Sequence, residues 1–139
     1  MENFSINLLA VFVSTLVAFI IGGIWYGPLF GKEWLKLLGW SQEKIDGMKK
    51  KGGMGKAYAM QFINSFVMAY VLAHVLEFAQ TDSLAMGLQG AFWCWLGFIA
   101  TTFMGKALWE GKSWKLYFID TGHYLVNLLI MGAILALWQ

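Results

Sequence analysis

The chain has 139 residues, short enough for one domain, and its make-up of 59% hydrophobic, 17% aromatic and 13% charged residues departs from soluble globular usage. The formal net charge of +2 conceals that all ten basic residues are lysines, gathered between Lys32 and Lys56 and between Lys106 and Lys115. That composition argues against a soluble domain, and lysines without arginine or a recognition motif argue against nucleic acid as a partner.

Charge-free runs extend from Asn3 to Gly31, Ala57 to Leu76, Ser83 to Gly105 and Thr121 to Gln139. Each is near the roughly 20 residues that a spanning helix needs. Barrel-type alternation is absent, and only helices or closed barrels satisfy backbone groups in lipid. The predicted fold is therefore all-α: a four-transmembrane-helix bundle in a single integral membrane domain. Its spans fall at about 5–27, 57–77, 83–105 and 116–138, with connections at about 28–56 and 106–115. The positive-inside rule puts both lysine-bearing connections in the cytoplasm and both termini outside, across the plasma (inner) membrane.

The first span lacks a basic n-region and a small-residue cleavage site, so it reads as a retained helix rather than a signal peptide. Ala18-x-x-x-Gly22, Gly23-x-x-x-Gly27 and Gly27-x-x-x-Gly31 repeat a spacing that lets helix backbones approach in lipid, which predicts a homo-oligomer through Gly-rich faces. Pro28 should break the helix near the interface, where Trp25, Tyr26 and Trp34 suit the headgroup level. In the first connection, Lys32 to Leu38 and Ser41 to Lys51 read as short amphipathic interfacial helices, the second capped by Ser41. Their lysines would meet anionic lipid headgroups, at about 1 kcal/mol each.

The second span carries Tyr58, Gln61, Asn64, Ser65 and His74. The third contains Trp93 and Trp95 well inside the bilayer, where their indole N–H groups need partners. Its lone cysteine, Cys94, can form no intrachain disulfide. Trp109, Trp114 and Trp138 read as interface anchors.

The fourth span is the distinctive one. Tyr117, Asp120, His123 and Asn127 step by three, three and four residues and so share one helix face. An ionisable group within a span is a functional-site hypothesis by default. Eight Leu, Ile and Val residues from Leu125 to Leu137, at about 0.3 to 0.6 kcal/mol each, offset even a central charge of about 2.5 to 3.5 kcal/mol, so the span still inserts.

Gly31-Lys32-Glu33-Trp34 is echoed by Gly111-Lys112-Ser113-Trp114, and Tyr58-x-x-Gln61-x-x-Asn64 by Tyr117-x-x-Asp120-x-x-His123. The echo predicts two pseudo-repeated helix pairs related by an axis along the membrane normal. Two polar stripes would then face each other in the cytoplasmic third of the bundle, enclosing a small polar cavity or bonding helix to helix.

Other chemistry is disfavoured. His74 and His123 differ in depth by more than about 10 Å, too far for one haem. No His, Cys or carboxylate cluster has metal-ligand spacing, no nucleophile stands beside Asp120 and His123, and no cofactor is implied. The sequence favours a non-enzymatic role, binding or passing a small solute or ion at Asp120, His123, Asn127, Tyr117, Gln61, Asn64 and Tyr58. The alternative is a structural or interaction membrane protein with no transport activity.

From Gly22-Gly23-Ile24-Trp25-Tyr26-Gly27-Pro28-Leu29-Phe30-Gly31-Lys32-Glu33-Trp34, and again at Met131 to Trp138, the chain resembles the domain-of-unknown-function 1761 family of small bacterial membrane proteins. The resemblance covers nearly the whole chain. It implies a four-span inner-membrane protein without an established activity, in which Trp25, Tyr26, Gly31 and Trp34 matter for packing or for a ligand.

Overall fold

The computed structural model describes residues 5–50 and 52–139, and among them the regular structure is entirely helical. Glu2, Asn3 and Lys51, to which the sequence assigns places in the topology, lie outside the described residues. Helix α1 (Leu8–Ile24) starts where the Asn7 side chain accepts the Ala10 N–H. It then widens into a π-helical turn over Trp25–Leu29 instead of stopping at Pro28. A proline has no N–H to offer the carbonyl four residues back, and its ring crowds that carbonyl. The wider turn relieves the conflict, and Phe30 N–H reaches the Trp25 carbonyl, five residues back, at 2.9 Å.

The first connection holds two short helices, α2 (Gly31–Leu38) and α3 (Gln42–Lys50). Gly39, at φ 73°, ends α2 in the left-handed region that glycine enters without strain. Ser41 caps α3 through the Lys44 N–H at 3.2 Å. The second span is α4 (Gly53–Phe78). The third is α5 (Leu84–Cys94), a second π-helical turn (Trp95–Ala100) and α6 (Thr101–Glu110). The fourth is α7 (Trp114–Leu137), capped by Ser113. The third span runs on to Glu110, past the predicted 105, and so carries Lys106 on its last turns.

Four of these units are long and apolar enough to cross a bilayer: Leu8–Leu29, Met54–Phe78, Leu84–Glu110 and Trp114–Leu137. The chain is a multi-pass membrane protein built as a four-helix bundle. Helix α7 is its hub, packing on α1, α4, α5 and α6, while α1 also packs on α4. In their most apolar windows 44% of the fourth span is buried within the chain, against 17% of the third.

Small residues decide which faces meet, as expected where lipid supplies no hydrophobic force between helices. A Cβ placed on Gly87 would fall 2.6 Å from the Gly132 carbonyl oxygen, and one on Gly132 would fall 2.6 Å from that of Gly87. The third and fourth spans thus touch backbone to backbone. Ala10, Val11, Ala18, Ala69, Leu72, Ala73, Leu76, Ala91, Leu128, Met131 and Leu135 form the core beside that contact. The glycines of the first span divide: Gly22 faces His123, Gly31 lies against the Tyr26 carbonyl, and Gly23 and Gly27 face open space.

Outside the spans, α2 is tied to α7 by Lys115 Nζ, 3.0 Å from Glu33 Oε2. The Lys115 ammonium holds the Glu33 carboxyl below its ordinary value.

Candidate functional site

The polar face of α7 turns into the bundle, where its side chains meet the first and third spans and one another. Tyr117 is buried and donates its hydroxyl to the Ala100 carbonyl at 2.9 Å, in the π-helical turn of the third span. The extra width of that turn leaves carbonyls in need of donors. Thr101 and Thr102 satisfy those of Gly97 and Phe98 at 2.7 and 2.6 Å, and Tyr117 satisfies Ala100 from across the interface.

Two indoles then grip the backbone of α7. Trp25 Nε1 donates to the Ile119 carbonyl at 2.9 Å and Trp95 Nε1 to the Thr121 carbonyl at 2.7 Å. Each tryptophan opens one of the two π-helical turns, and each begins a Trp-x-Gly sequence, Trp25-Tyr26-Gly27 and Trp95-Leu96-Gly97. Trp25, expected at the headgroup level, thus also ties the end of the first span to the fourth. The shared Trp-x-Gly was the signal in the sequence that could have paired them.

Asp120 is half-buried and accepts the Tyr26 hydroxyl at 2.7 Å. Lys106 and Lys112 line the space beside the same carboxylate. An open pocket of about 110 Å³ reaches it, lined by Phe103, Lys106, Ala107, Lys112, Leu116, Tyr117 and Asp120. Sequence spacing alone does not single out Phe103, Lys106 or Lys112, since the two lysines read as part of a connection, whereas α6 carries Lys106 onto the pocket wall.

One turn further along α7, His123 is buried among rings, with centroids 4.9 Å from Tyr26, 5.0 Å from Tyr124 and 6.2 Å from Trp25. Gly22 makes room for it: a Cβ there would stand 3.3 Å from His123 Nε2. Nε2 lies 3.0 Å from the Asn127 side-chain nitrogen, while His123 Nδ1 and Asn127 Oδ1 have no hydrogen-bond partner among the described residues. With Nε2 accepting, the ring proton sits on Nδ1 and meets no acceptor.

The structure does not bring the stripe of the second span to this face. Tyr58, Gln61 and Asn64 are exposed, Tyr58 by 56%. The buried positions of α4 are Ser65, Ala69, Leu72, Ala73 and Leu76, all further along the helix. Packing of those small and apolar residues sets the rotation of α4, and polarity has little say in it. Of the motif residues, Trp25, Tyr26 and Trp34 gather around Asp120 and His123, with Tyr26 and Trp34 rings 4.7 Å apart, and Gly31 opens α2 where a Cβ would strike the Tyr26 carbonyl.

No curated protein and no solved structure matches the chain. A family described as proteins of unknown function (DUF1761) matches residues 9–136, nearly the full length, and the chain belongs to that family.

Proposed function

We propose that this membrane protein binds a small solute at the Asp120 pocket, entered from the cytoplasm, and that the solute is a zwitterion. One observation carries the reading: a carboxylate within a span, held by Tyr26 from another helix, lies on an open pocket that also presents two lysines. An acid is costly at that depth, and a purely structural contact gains nothing by leaving it reachable. A single carboxylate facing two ammonium groups suits a ligand with an amine at one end and an acid at the other. A volume of about 110 Å³ restricts that ligand to a few heavy atoms.

Binding is favoured over an open path, because the rings of Tyr26, His123 and Tyr124 close together beyond Asp120. The cytoplasmic side follows from the lysines that frame the pocket, which the positive-inside rule retains in the cytoplasm and which would also meet anionic lipid headgroups. This topology places both termini outside the plasma (inner) membrane.

The test is equilibrium binding of radiolabelled small zwitterions, such as glycine and alanine, to protein in lipid nanodiscs. Binding lost in Asp120→Asn and weakened in Lys106→Gln and Lys112→Gln, with unchanged helix content, is the expected result. Equal binding by wild type and Asp120→Asn, or uptake of simple cations alone, would overturn it.

A further inference from the structure

We infer that the outward faces of the second and third spans form an interface between two copies of this chain, in which Gln61, Asn64, Gln89 and Trp93 hydrogen-bond across the contact. Polar side chains are not distributed evenly between inside and outside in this bundle. On the first and fourth spans they turn inward: Ser14, Thr15, Tyr117, Thr121, His123 and Asn127 are all buried. On the second and third, Ser65 is buried, but a group of four stands outward: Gln61, Asn64 and Gln89 are exposed and Trp93 is 64% exposed. None of these four finds a hydrogen-bond partner among the described residues, whereas Trp95, two positions from Trp93, has one.

All four lie at hydrocarbon depth. Measured from Lys56 and Lys106 as boundary residues, at about 1.5 Å per residue, Asn64 stands about 12 Å in, Trp93 about 20 Å and Gln89 about 25 Å, within a core of about 30 Å. Acyl chains offer these groups neither donor nor acceptor, and an unsatisfied polar group there costs several kcal/mol. The two spans are neighbours, with Leu76 of α4 against Gly90 of α5, so one surface can cover both.

A second copy fits better than a different partner. A two-fold axis along the membrane normal keeps each residue at the depth of its counterpart and lets the same patch meet itself. Glutamine and asparagine side chains carry a donor and an acceptor each, so like pairs complement themselves, and the donor-only Trp93 indole has the Gln89 carbonyl of the other copy within a turn. Gly97, one turn from Trp93, has open space where a Cβ would stand, which lets two helices approach closely. The first span also leaves Gly23 and Gly27 open, but its outward side chains include Leu9, Leu16 and Ile20, for which lipid is a sufficient neighbour. The third span, only 17% buried within one chain, has the most surface left to cover.

The experiment is oxidative cross-linking in native membranes, in a Cys94→Ala background that removes the natural thiol. Gly97→Cys should form a disulfide-linked dimer in high yield and Ile20→Cys, on the first span, little. Adding Asn64→Leu and Gln89→Leu should lower the Gly97→Cys yield about ten-fold while circular dichroism stays unchanged. Equal yields at Gly97→Cys and Ile20→Cys, a yield indifferent to the two leucines, or a cross-link to a different protein would each overturn the inference. Loss of helix content with the leucines would overturn it too, because the amides would then be serving their own chain.

Discussion

The third span contains two tryptophans of similar depth and opposite fate. Trp95 turns toward α7 and gives its N–H to the Thr121 carbonyl at 2.7 Å, while Trp93 turns away and its N–H meets no acceptor among the described residues. The same division separates whole helices. The first and fourth spans bury Ser14, Thr15, Tyr117, Thr121, His123 and Asn127, while the second and third, apart from Ser65 and Trp95, leave Gln61, Asn64, Gln89 and Trp93 outward. In water, burying apolar surface would have pulled the two patterns together, but in a bilayer the tightest backbone packing decides the rotation of each helix and polar groups go where it leaves them.

The strongest way to break that contrast is at the packing itself. Gly87→Leu puts a side chain where the Gly132 carbonyl stands, and since backbone cannot rotate out of the way, destabilisation should reach about 3 kcal/mol, the upper end for overpacking. A thermal midpoint in detergent close to that of wild type would show that the third and fourth spans do not depend on this contact.

A smaller effect sharpens the comparison between the two indoles. Trp95→Phe keeps the ring but removes the bond to Thr121, which should cost the folded chain about 0.6 to 1.7 kcal/mol. Trp93→Phe should leave the unfolding of the solubilised monomer unchanged. Equal losses for the two, measured by unfolding in mixed micelles, would mean that the division between inward and outward faces has no energetic content.

The smallest effect concerns the tie between α2 and α7. Lys115 depresses the Glu33 carboxyl, so the pair is intact at and above the ordinary glutamate range near about pH 4.3 and weakens only when the pH falls below it. Quencher access to Trp34 should stay constant from about pH 8 down to about pH 5 and rise in stronger acid, and Glu33→Gln should show the raised access throughout. A transition in wild type above about pH 5 would reverse the sign of this prediction.

Four spans were legible from the uncharged runs, because hydrocarbon tolerates few alternatives to a helix of about 20 apolar residues. The inward face of α7 was legible too, since Tyr117, Asp120, His123 and Asn127 share one side of a helix by spacing alone. Rotation of α4 was not: nothing in Tyr58, Gln61 and Asn64 shows that Ala69 and Ala73 would win the contact. Pro28 read as a stop because proline removes a donor, yet the chain absorbs that loss by widening one turn. The position of Trp25 near a helix end suggests a headgroup anchor, while its Ile119 partner, 94 residues away, leaves no local trace.

The hydroxyl of Tyr26 and an incoming amine would seek the same two oxygens. A guest that claims the Asp120 carboxylate therefore competes with the latch that fastens the first span to the fourth. Because Tyr26 packs against the tilted Trp34 ring and α2 is moored to Lys115, release of that latch would loosen the connection that follows, and an occupied pocket would differ from an empty one in the set of the chain leaving the first helix.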